Sequence, residues 1–132
     1  MSIEAMKQHG AFSWNELTTA DVAGAKAFYG ELLGWTLQDT SNPDVDYTII
    51  AAGESQIGGI MAVPEQAKGM PPAWGAYVTV DDVDALIPRV EQLGGKICVP
   101  PTDIPNVGRF MLIQDPQGAM LSLITYTYLE PM

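Results

Sequence analysis

The sequence predicts an α+β protein built from two tandem β-α-β-β-β modules that form a curved mixed-sheet half-barrel with a central cleft. Three observations carry this. Residues 11–18 alternate as a strand does, residues 21–34 switch to helical spacing, and the same order begins again with an offset of 61 residues. That offset lays Asp21-Val22 on Asp82-Val83, Leu32 on Leu93 and Gly34 on Gly95. Two such modules bury their sheets against each other or around a shared cleft, and 132 residues suffice for a single domain, 1–132, with a real core.

The first strand, within FSWNELT, puts Phe12, Trp14, Glu16 and Thr18 on one face and Ser13, Asn15 and Leu17 on the other. DVAGAKAFYGELLG (21–34) follows as a helix, with Val22, Ala25, Phe28, Tyr29, Leu32 and Leu33 as its apolar stripe, Asp21 as N-cap and Gly34 as stop. WTLQD (35–39), DYTIIAA (46–52) and QIGGIMA (56–62) supply three strands and complete module one, about 11–62. VPEQAKGMPPA (63–73), with three prolines and a glycine, is a connector. Module two, about 74–126, repeats the order with the strand WGAYVTV, the helix DVDALIPRVEQLGG and the strands KICVPPT, GRFMLIQ and AMLSLITY. Pro88 inside that second helical pattern predicts a kink or a late start.

A 47% hydrophobic composition and a mean hydropathy of +0.08 fit a globular chain. Sixteen acidic residues against six basic ones give a net charge of -10, which disfavours nucleic acid and anionic membrane surfaces as partners. The acids are scattered (Asp21, Glu31, Asp44, Asp46, Glu65, Asp84, Glu91) and read as a solubilising coat. One cysteine, Cys98, forms no internal disulfide, MSIEAMKQHG lacks the features of a secretory signal, and no apolar run reaches the ~18 to 20 residues of a membrane span. A soluble, cytoplasmic protein is expected.

The segment T-x-A-D-V-x-x-A-K-A-F-Y-x-x-L-L-G-W in the first half, V-D-D-V-D-A in the second and D-P-Q-G before the last strand together resemble the vicinal-oxygen-chelate superfamily, the fold of glyoxalase I, extradiol dioxygenases, fosfomycin-resistance and bleomycin-binding proteins. The resemblance covers about Phe12 to Tyr126, and W-N-E-L-T-T with G-R-F is most similar to a glyoxalase-like branch. It implies a divalent metal held by four His or Glu side chains, one from the first and one from the last strand of each module. The matching positions here are Trp14, Gly75 and Ser122, and the fourth falls in QIGGIMA, which has neither carboxylate nor imidazole. Ligand counting agrees, since one histidine (His9, in an expected frayed leader) and one cysteine cannot build a His/Cys zinc site or a two-histidine iron site. No cofactor is therefore expected, although a divalent metal is typical of the superfamily. The resemblance also implies a homodimer; the aromatic tail YTYLEPM suits an interface and equally suits packing on its own sheet.

The inward-facing candidates are Trp14, Glu16 and Thr18 on the first strand, Gly75, Tyr77 and Thr79 on the fifth, and Met120, Ser122 and Ile124 on the last. Their mixture of apolar, aromatic and a few polar groups suits a small-molecule pocket and also suits a core. Glu16 is the anomaly, because an ionised carboxylate in an interior needs a donor. Arg109, the only arginine in a strand-like stretch, is the expected partner, as a structural tie or as an anion clamp beside Glu16 as general base. Asp115 in D-P-Q-G reads as a turn residue. Three functions follow: metal-independent binding of a small organic molecule in the cleft; a glyoxalase-like lyase, isomerase or oxygenase using Glu16; or a module whose cleft is self-filled and whose interface lies elsewhere.

Overall fold

The computed structural model describes residues 3–40, 47–63, 68–104 and 107–127. Asp44, Asp46, Glu65, part of the connector and the last five residues of the YTYLEPM tail lie outside them. The element order is α1 (Ile3–Lys7), β1 (Phe12–Thr19), α2 (Val22–Leu33), β2 (Thr36–Asp39), β3 (Tyr47–Ala52), β4 (Ser55–Ala62), β5 (Ala73–Thr79), a 3₁₀ turn (Asp84–Leu86), α3 (Ile87–Gln92), β6 (Lys96–Ile104), β7 (Gly108–Gln114) and β8 (Met120–Tyr126). This is an α+β protein in which the β-α-β-β-β order occurs twice. Contacts divide it into two compact units, one taking the described residues from Trp14 to Gly75 and the other taking those before and after. Among the described residues no helix is long and apolar enough to cross a membrane.

In unit one the strands run in the order β2-β3-β4-β1, with β1 and β4 parallel and the other pairs antiparallel. Leu17, Ile50 and Ile60 form the buried core, and Val22, Ala25 and Tyr29 of α2 close it together with Trp35, Leu37 and Ile57. Burying each of the three core side chains stabilises the fold by about 1.5–3 kcal/mol. The Asp21 side chain accepts the Gly24 N–H at 2.9 Å, starting α2, and Gly34 ends it at φ 71°, a left-handed conformation that glycine adopts without a Cβ penalty. The apolar stripe is narrower than the spacing predicts. Phe28 and Leu32 are 59% and 63% exposed, because they sit one turn apart on a ridge beside the core-facing row. Pairing of β3 with β4 passes from Ile50↔Gly58 to Ala51↔Gln56, so Ile57 is the extra residue of a bulge.

In unit two the order is β5-β8-β7-β6, with β5 and β8 parallel and the other pairs antiparallel. Val80, Val83, Met111 and Leu123 are its buried core. Pro88 has the second of its two anticipated effects. The helix starts late, as a 3₁₀ turn followed by a six-residue α3 with Pro88 in its first turn, where the missing N–H costs nothing. Pro100 and Pro101 lie on β6, at the end of the order, where two register shifts absorb them. Asp115 holds the D-P-Q-G bend by accepting the N–H groups of Gln117 and Ala119. The leader is folded rather than frayed: the Gly10 N–H donates to the Thr79 carbonyl at 2.7 Å, the Thr79 N–H to the Ala11 carbonyl at 2.8 Å, and the Asp81 N–H to His9 Nδ1 at 2.9 Å.

Candidate functional site

Residue parity along β1 decides which side chains can meet. Leu17 points into the core beneath α2, so Trp14, Glu16 and Thr18 lie on the opposite face, all three half-buried. The pairings Glu16↔Gly59, Ile49↔Gly59 and Tyr47↔Met61 bring Tyr47 of β3 to that same face. There Trp14 Nε1–H donates to the Tyr47 hydroxyl at 2.9 Å, and the Tyr47 hydroxyl donates to Glu16 Oε2 at 2.7 Å. The acid set among aromatics therefore terminates a directed chain of hydrogen bonds, indole to phenol to carboxylate, with charge-assisted strength at its last link. Gly59 makes this possible, since a Cβ there would collide with the Tyr47 ring and hydroxyl.

Arg109 and Glu16 have different partners from the pair expected between them. Arg109 Nε and Nη2 grip both oxygens of Asp84, at 2.8 and 3.1 Å, and Nη1 reaches Asp103 Oδ1 at 3.0 Å. The reason is strand parity again. Arg109 shares its face of β7 with the core residue Met111, beside the 3₁₀ turn that carries Asp84. Its bonds hold the Asp84 carboxyl below the usual carboxylate range.

The remaining candidates separate by unit. In unit two the pairings Tyr77↔Ser122 and Thr79↔Ile124 put Tyr77, Thr79 and Ser122 on one buried face, Tyr77 against Phe110 with ring centroids 6.1 Å apart. The Thr79 hydroxyl is committed to the Ala5 carbonyl of α1 at 2.8 Å, so the leader claims a group expected to meet a ligand. Met120 is 47% exposed at the start of β8, with its sulfur 4.0 Å from that of Cys98. Gly75, in unit one, is exposed, as is Cys98.

The residues present do not fit the superfamily's divalent metal. Its positions hold an indole already bonded to Tyr47 (Trp14), no side chain (Gly75) and a hydroxyl (Ser122), and the Glu16 face of β4 presents Gly59 and Met61. Among the described residues no three His, Cys, Asp or Glu side chains converge as a cation would require.

Tyr47 is the site residue that sequence reasoning missed. One signal was available: the pair Gly58-Gly59 inside a strand, which marks close approach by another group.

The family model described as Glyoxalase/Bleomycin resistance protein/Dioxygenase superfamily matches residues 11–123. The chain belongs to that superfamily. Within it, a Mycobacterium tuberculosis protein named "Putative glyoxylase CFP32" is 37% identical over 120 residues, covering 90% of this chain and 45% of its own length. The "Anthracycline biosynthesis protein DnrV" of Streptomyces peucetius is 35% identical over 127 residues, covering 86% of this chain and 46% of its own length. The chain thus spans about half the length of these superfamily relatives. Among solved structures, methylmalonyl-CoA epimerase from Mycobacterium tuberculosis superposes with a TM-score of 0.61 at 21% identity, over 87% of this chain and 86% of that one, a likeness of fold.

Proposed function

We propose that this superfamily member binds a small organic molecule, without a metal, on the unit-one face formed by Trp14, Glu16, Thr18 and Tyr47. The hydrogen-bonded row from Trp14 through Tyr47 to Glu16 carries the reading. It fixes the carboxylate in one orientation beside an indole face, which is what recognition of a flat molecule bearing a polar edge requires. A relative named for anthracycline biosynthesis and one named a glyoxylase support a small organic molecule as the ligand class. A homodimer belongs to the same reading.

Fluorescence titration with doxorubicin, an anthracycline, tests it on chelator-treated protein. Saturable binding is expected to persist after chelation and to weaken about tenfold in Glu16→Gln or Trp14→Leu, in line with losing a charge-assisted hydrogen bond or an aromatic contact. Loss of binding on chelation overturns the metal-independent part. Unchanged binding in both variants overturns the site.

The orientation of Glu16 also favours a second reading, a glyoxalase-like lyase, isomerase or oxygenase in which this carboxylate takes a proton from a carbon next to a carbonyl. In that reading Tyr47 positions the base, and Tyr47→Phe lowers kcat more than it raises KM.

A further inference from the structure

We infer a second small-molecule site in unit one, on the face of β1 opposite Glu16, that takes a planar ring system bearing a lactam or aromatic carboxamide edge. It goes beyond the function proposed above and uses none of that site's residues. Asn15, between Trp14 and Glu16 in sequence, pairs with Gly58 and points to the α2 side of the sheet, together with Leu17 and Ile50. There Asn15, Trp35, Ile50, Ile57, Gly58 and Trp74 line an open-sided recess of about 300 Å³. Two local features build it. Gly34 stops α2 and delivers Trp35 directly to the recess, and the bulge at Ile57 turns that side chain onto the α2 side, where it packs against the core.

The walls are aromatic and braced. The rings of Trp35 and Trp74 have centroids 6.0 Å apart and stand at 78° to each other. Tyr29 stacks on Trp35 at 5.5 Å and accepts the Trp74 indole N–H at 3.2 Å. Two nearly perpendicular indoles offer one face for stacking and one edge for T-shaped contact, the two preferred arrangements of a bound ring. The volume sits at the lower end of small-molecule pockets, which limits the occupant to one or two fused rings.

Asn15 supplies the selectivity. Among the described residues nothing hydrogen-bonds its carboxamide. A carboxamide presents an acceptor and a donor side by side, and a lactam or primary amide presents the complementary pair. In an otherwise apolar recess, such a pair of bonds discriminates against rings lacking that edge.

The test uses the intact chain and 2-quinolone, a fused bicyclic lactam, followed through the indole N–H resonances of the three tryptophans. The Trp35 and Trp74 resonances should shift saturably while that of Trp14 stays in place. Quinoline, which lacks the lactam edge, should bind about fivefold more weakly, and Asn15→Leu should weaken 2-quinolone by a similar factor. Trp74→Ala, at a half-exposed position, should abolish saturation while resonances away from Tyr29 and Trp35, the rings it touches, stay in place. A shift confined to Trp14, no saturable shift up to the solubility limit, or equal affinity for the two probes overturns the inference. The comparison of probes on the unaltered protein decides even if Asn15→Leu does not fold.

Discussion

Tyr47 links the most chemistry with the fewest atoms. Its one hydroxyl serves an indole donor and a carboxylate acceptor at once, so Tyr47→Phe leaves both half-buried partners short of a bond. The expected loss is about 2 kcal/mol of unfolding free energy, read as a lower urea midpoint at unchanged slope. Gly59→Ala should cost more, because the new methyl drives the whole phenol from its place. The two effects share a cause, so in a Tyr47→Ala background Gly59→Ala should cost much less than alone, and a double-mutant cycle measures the coupling. Additive costs would show that the glycine serves the strand rather than the phenol. The sequence made Glu16 suspicious but named Arg109 as its donor. A partner on another strand depends on register, and register is not written in either segment alone.

Helices and strands were far more legible than contacts. The strand in GRFMLIQ and α2 within DVAGAKAFYGELLG were placed to within a residue, because a short apolar run bounded by polar residues and the Asp21 and Gly34 signals are local. Asp21→Ala should therefore destabilise unit one by about 1 kcal/mol and reduce helical circular dichroism only slightly, since packing under Tyr29 still holds α2 in place. One element escaped the pattern, and another departs from it as Pro88 anticipates. The leader is too short to show helical periodicity, and its ties to Thr79 and Asp81 come from residues about seventy positions away. The second helix carries the same spacing as the first, yet Pro88 and the bond from Arg109 to Asp84 make its opening turn a separate piece.

For the whole molecule, two exposed ion pairs and one partly buried phenol contribute to the dependence of stability on pH. The hydrogen bond from Lys26, aided by Thr48, lowers the Asp39 carboxyl, and Arg109 does the same for Asp84. A lowered folded value means that the unfolded chain binds the proton first. These groups therefore stabilise above the ordinary carboxylate range, and their contribution is lost as pH falls through the lowered values. On the alkaline side, burial raises the Tyr126 phenol despite its 2.8 Å bond with Ser13, so its contribution is present below about pH 10 and lost as pH rises through the raised value. Thermal melts should show Arg109→Ala flattening the acid limb and Tyr126→Phe flattening the alkaline limb. The second variant should also be less stable at neutral pH, because the fully buried Ser13 loses its partner. Unchanged limbs would assign both slopes to the net charge of -10 instead.

The alternation of Trp14, Asn15 and Glu16 about one strand has an evolutionary consequence. A single-codon deletion between Phe12 and Asn15 that the strand absorbed by sliding would not weaken either recognition surface in proportion. It would turn the amide toward the acid's side and the acid toward the helix, interchanging two chemistries while leaving the composition almost untouched. Lineages descended from this chain should accordingly show fewer length changes in this stretch than replacements of single residues.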